Sequence, residues 1–211
     1  MANESRLRAY GTHGLILINL SFFFFQIFSS KGGIFGWDIS GNDLNILYQL
    51  GLGPEKVWSG QWWRLLSANF LHLGWIHLFS NMLGLYFLGR FVENKLGLGR
   101  YLLAYFVSGI GSMLAFSILA IEMDARHQIL VGASAAIMGL IGVIFAIFLK
   151  VWLEEKSSLA AKRLRILFFM VGVQFAMDLA LPQVSLLSHV LGLIIGFLTG
   201  KFLLIKWGFQ R

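Results

Sequence analysis

The chain has 211 residues, of which 57% are hydrophobic and only 13% charged. A soluble domain of that length carries about 25% charge, so the composition excludes a single water-soluble core and points to apolar segments solvated by lipid. The lack of cysteine excludes disulfides and thiolate metal sites, and the net charge of +7 sits between apolar stretches, which reads as membrane orientation and not as nucleic-acid binding.

Six stretches are long and apolar enough to cross a bilayer, which takes about 20 residues each. In chain order they fall near 12–30, 73–91, 101–121, 131–150, 164–181 and 187–207. All are expected to be helices, because a chain in lipid has to satisfy its own backbone hydrogen bonds. The first, with its apolar run at 14–28, has no convincing cleavage site after it and reads as a retained span. With 24 glycines and only two prolines, the helices are suited to close packing in lipid. No internal repeat or low-complexity tract divides the chain, so residues 1–211 read as one domain.

Between the first two stretches lies a long connection, roughly 30–72. It carries Trp37, Trp58, Trp62, Trp63 and Phe70. Tryptophan favours the headgroup level, so this connection is expected to lie partly embedded in the outer surface. Lys and Arg are distributed unevenly over the connections. The N-terminus, the second and fourth connections and the C-terminus hold 13 of the 17. The positive-inside bias therefore places both termini in the cytoplasm, and an even number of spans agrees with their lying on one side. The expected location is the cell membrane.

The second, fourth and sixth stretches all enter from the outside, and each begins with polar residues. These are His77 and Asn81 in the second, Ser134 after Gly132 and Ala133 in the fourth, and Ser188 and His189 in the sixth. Polar side chains in lipid are costly and are a functional hypothesis by default. A lone serine or histidine there more often serves helix packing, but the pair carries a chemistry. A serine hydroxyl is a weak nucleophile until a base takes its proton, and histidine suits that task near neutral pH. Small residues provide the means for the two to meet. Ala135, Gly139, Gly142 and Ala146 form one stripe, and Gly192, Gly196 and Gly200 another, with His189 three residues before Gly192. His77 and Asn81 are four apart and share a helix face. Together with the Ser134 N–H at a helix start, they could supply donors for an oxyanion.

These residues, in this order, resemble the rhomboid family of intramembrane serine proteases over roughly 61–200. The resemblance runs through Trp63 and Arg64, the segment H-L-G-W-I-H-L-F-S-N-M that begins at His72, Gly132 to Ser134, and His189, Gly192 and Gly196. It implies a compact all-α bundle of six transmembrane helices around a water-filled cavity open to the outside. It further implies a dyad of Ser134 and His189 without a triad carboxylate, oxyanion donors in His77, Asn81 and the Ser134 amide, and no metal or cofactor. Arg64 and Glu93 match bracing positions, and Asp178 matches a family position eleven residues before the base, where a third triad member is possible in principle but structural hydrogen bonding is the favoured reading. Two residues depart from the pattern. Ala135 stands where glycine usually follows the nucleophile, and Met138 stands where an aromatic commonly packs on the base imidazole. The expected partners are the lipid bilayer and single-span membrane-protein substrates, with no nucleic acid. Two other readings are an inactive relative that binds membrane-protein clients and a small transporter. The transporter would need coupling-ion residues at the midplane, whereas the acidic residues here lie at span ends or in connections.

Overall fold

The computed structural model describes residues 9–29, 44–180 and 185–207. Arg6, Arg8, Lys31 and Arg211, which are among the Lys and Arg residues counted for orientation, and Trp37 of the first connection lie outside them. Every regular element among the described residues is helical. These are α1 (Tyr10–Ser29), α2 (Leu44–Leu50), α3 (Pro54–Trp58), α4 (Arg64–Ser67), α5 (Gly74–Gly84), α6 (Arg90–Leu96), α7 (Leu98–Glu122), α8 (Ser134–Glu155), α9 (Ser158–Ala180) and α10 (Leu186–Trp207). A single turn of 3₁₀ helix, Ala68–Phe70, follows α4, and a π-helical stretch, Leu85–Gly89, joins α5 to α6.

Among the described residues four helices are long and apolar enough to cross a membrane: α1, α7, α8 and the Leu186–Ile205 part of α10. The second expected span is a continuous helical run, 74–96, interrupted by the π stretch. The fifth is α9, which is long enough but has Lys162, Arg163 and Arg165 near its start. The multiple apolar helices make this a multi-pass membrane protein. Large side chains left exposed on its flanks, among them Phe28, Ile76, Phe79, Phe168 and Ile205, would be costly against water and suit contact with lipid.

Helix α8 is the centre of the molecule. Residues 135–144 are buried on every side, as expected of a helix that is apolar all round. Its principal neighbours are α10, α7 and α9. Against α10 the two backbones touch. A Cβ added at Gly192 would run into the carbonyl of Ala135, and one at Gly196 into the carbonyl of Gly139. The small-residue stripes thus become the α8–α10 seam.

The first connection is bound to the bundle by polar contacts. Arg64, 4% exposed, donates from Nη1 to the carbonyls of Tyr48 (2.8 Å) and Gly51 (2.7 Å), and from Nε to Gln61 Oε1 (2.7 Å). Ser67 Oγ donates to Leu50 O at 2.6 Å. Leu52 and Leu130 exchange backbone hydrogen bonds of 2.9 and 3.0 Å, which ties the connection to the segment leading into α8. Leu52, Val57, Leu65 and Ala68 pack with Met113, Phe116 and Ala120 of α7. Glu93 does the corresponding task at the other end of the molecule. Its carboxylate accepts from the N–H groups of Gly11 and Thr12 and from Thr12 Oγ, each at 2.8 Å. A carboxylate suits that place, the positive end of the α1 dipole.

Candidate active site

Three helices present their N-terminal ends to one place. Ser134 is the first residue of α8, His189 is the fourth of α10, and His77 is the fourth of α5. Each start has a local cause. Gly132 adopts φ +123°, a conformation that favours glycine, and donates its N–H to Ala68 O at 2.9 Å, so the chain turns into α8 against the first connection. Ser185 caps α10, its Oγ accepting the Ser188 N–H at 3.3 Å. Ser112 of α7 then holds that turn by donating to Ser188 O at 2.6 Å.

The α8–α10 seam brings the predicted pair together. His189 Nε2 lies 2.7 Å from Ser134 Oγ. The imidazole is 3% exposed, while Ser134 is half-buried. As the first helical residue, Ser134 has no carbonyl one turn back to receive its N–H. That amide is therefore free to bind a ligand, and the α8 dipole favours negative charge beside it.

His77 also reaches this place. A Cβ added at Gly132 would sit 2.7 Å from His77 Cε1, 2.8 Å from His77 Nε2 and 3.5 Å from Ser134 Oγ. The imidazole edge therefore lies against the backbone just before the serine. Leu73 N–H donates to His77 Nδ1 at 3.2 Å, which puts the ring proton on Nε2, the edge that faces Gly132. Asn81 is buried one turn further along α5, and one of its amide hydrogens is donated to His77 O at 3.0 Å.

Asp178 comes to the site from α9. Its Oδ2 lies 2.7 Å from His189 Nδ1, and its Oδ1 accepts from Gln174 Nε2 at 2.8 Å. Asp178 is the buried residue at that end of α9. Two further residues escaped the sequence reading. Gln26 of α1 forms a two-way clamp with the His72 backbone, donating to its carbonyl at 3.1 Å and accepting from its N–H at 3.0 Å. Gln174 braces Asp178, and its signal was available: it lies four residues earlier on the same helix face. His72 packs its ring edge-on to His77, with centroids 5.2 Å apart. Burial, with the adjacent His77 adding to it, pushes the His72 imidazole down to about 3, so it is neutral at physiological pH.

The two departures from the resemblance are both in the core. The Ala135 side chain joins the apolar cluster of the first connection and α7, while its backbone meets Gly192. Met138 is buried in the central cluster.

Comparison with known proteins gives the chain its family. A family model described as the Rhomboid domain matches residues 59–206, which include His77, Asn81, Ser134, Asp178 and His189. The chain is 38% identical over 152 residues to RHOMBOID-like protein 2 of Arabidopsis thaliana, covering 72% of this chain and 45% of that protein. It is 30% identical over 163 residues to Rhomboid protease GluP of Bacillus subtilis (strain 168), covering 76% of this chain and 30% of the relative. It is also 30% identical over 151 residues to Putative rhomboid protease YdcA of the same bacterium, covering 72% of this chain and 69% of the relative. Against several of the plant relatives the chain spans about half their length or less.

Proposed function

The chain belongs to the rhomboid family, and from that premise we propose that it is an intramembrane serine endopeptidase that cleaves transmembrane segments of other membrane proteins. The observation that carries this reading is the 2.7 Å separation of His189 Nε2 and Ser134 Oγ. It is supported by the two Bacillus subtilis relatives named as rhomboid proteases.

In this reading residues 1–211 form one six-span unit, with the run 74–96 and α9 joining the four apolar helices. The first connection is partly embedded in the outer leaflet. Both termini are cytoplasmic in the cell membrane, and the site lies near the outer face. A single-span substrate unwinds at the mouth of a cavity near α9. Ser134 Oγ attacks the scissile carbonyl. As the Oγ–C bond forms, the hydroxyl proton passes to His189 Nε2 and the carbonyl electron pair moves onto oxygen. The oxyanion rests among the His77 Nε2–H, the Asn81 amide and the Ser134 N–H. On collapse the C–N bond breaks and His189 returns the proton to the leaving amine. Water from the outer side then hydrolyses the acyl-enzyme by the same route.

The test is cleavage of a model single-span substrate in lipid by wild type beside Ser134→Ala. The proposal expects cleavage by the first alone. Equal cleavage by both would end the nucleophile assignment. No cleavage by either, with stable binding of the substrate, would favour a client-binding relative without activity.

A further inference from the structure

The Nε2 side of His189 faces the serine, and the mechanism above leaves the Nδ1 side without a role. That side is occupied by Asp178 Oδ2 at 2.7 Å, and the two side chains are 3% and 1% exposed. The other carboxylate oxygen is held by Gln174 Nε2 at 2.8 Å. We infer that Asp178 is a positioning residue for the base, that it fixes the reactive tautomer of His189, and that Gln174 fixes the carboxylate in turn. The inference rests on the protease reading of the same site.

The geometry assigns the protons. An ionised carboxylate can only accept, so at this distance His189 Nδ1–H donates to Asp178 Oδ2. A neutral imidazole carries one ring proton, so Nε2 keeps a lone pair. That lone pair is 2.7 Å from Ser134 Oγ and is the acceptor that removal of the serine proton requires. When Nε2 takes the proton, the imidazolium is formed beside a buried negative charge, which stabilises it. The carboxylate is delivered by α9 and the imidazole by α10, so docking of α9 completes the base.

A carboxylate at 178 makes the assignment unique, because it can only accept, both from His189 Nδ1–H and from Gln174 Nε2–H. In Asp178→Asn the side-chain amide can donate or accept on either side, and the Gln174 amide can turn to match it. An NH₂ facing Nδ1 makes that nitrogen the acceptor and moves the ring proton to Nε2, the tautomer that cannot receive the serine proton. In either orientation the negative charge beside the imidazolium is lost.

The experiment measures kcat and KM on a single-span substrate in lipid, with thermal unfolding followed in parallel. The variants are Ser134→Ala and Asp178→Asn. The expected loss in Asp178→Asn is about 10²-fold or more in kcat, with KM changed little. Retention of kcat by Asp178→Asn within about threefold of wild type would overturn the inference. That result, with Ser134→Ala inactive, leaves the protease reading in place, whereas activity of Ser134→Ala removes that reading itself. The wild-type protein gives a second measurement that needs no variant to fold. Nitrogen-15 chemical shifts of the imidazoles, with His189 identified by its loss in His189→Ala, should show Nδ1 protonated and Nε2 bare. The opposite tautomer would overturn the inference.

Discussion

At the residue scale the site depends on where single protons are held. His77 receives the Leu73 N–H on Nδ1, so its own proton faces Gly132 and the serine. If that N–H binds the oxyanion, His77→Ala should lower kcat by about 10²- to 10³-fold while KM changes little. Steady-state kinetics on one substrate checks this, and a change confined to KM would assign His77 to substrate binding instead. The candidate site residues were legible in the sequence because polar residues in lipid are few. Ser134, His189, His77 and Asn81 stand out against 57% hydrophobic composition. The Asp178 contact was not legible at that level. Asp178 and His189 are eleven residues apart on different helices, and only the docking of α9 beside α10 decides whether the carboxylate meets the ring or turns elsewhere.

At the element scale the α8–α10 seam positions the pair. Gly196 lies against the Gly139 carbonyl with no room for a side chain. Gly196→Ala should therefore push the helices apart, with a loss of stability of about 1–3 kcal/mol and a larger relative loss of activity. Gly172→Ala on α9 is the control, since a Cβ there meets nothing within 4 Å. Unfolding in detergent and cleavage by the two variants check this. Equal behaviour of the two would mean that the seam does not set the serine–histidine distance. The seam was readable as small residues at helical spacing. The π stretch at Leu85–Gly89 was not, because this run has the same apolar character as the α-helix on either side. The first connection was legible only in outline. Its aromatic residues suggested an interfacial segment, but its buried arginine network joins residues up to 16 positions apart, and no local pattern encodes such contacts. The α9 start shows a different limit: its cluster of basic residues lowers its hydropathy, so its length alone does not distinguish a span from a surface helix.

At the scale of the whole molecule, three helix N-termini converge on one depth, and the first connection closes over that end through the Leu52–Leu130 pairing and the Gly132–Ala68 hydrogen bond. Glu93 fixes α1 to α6 at the opposite end. The architecture thus holds a polar site inside an apolar envelope. The central claim is that this envelope makes one serine nucleophilic through one histidine. Reaction with a serine-directed fluorophosphonate in lipid bilayers tests it most directly, because it needs no knowledge of the substrate. The predicted result is a single adduct on Ser134, mapped by mass spectrometry, that is absent in Ser134→Ala and slowed about 10²-fold or more in His189→Ala. An unlabelled wild type under conditions that label an active rhomboid protease, or labelling at an unchanged rate in His189→Ala, would contradict it.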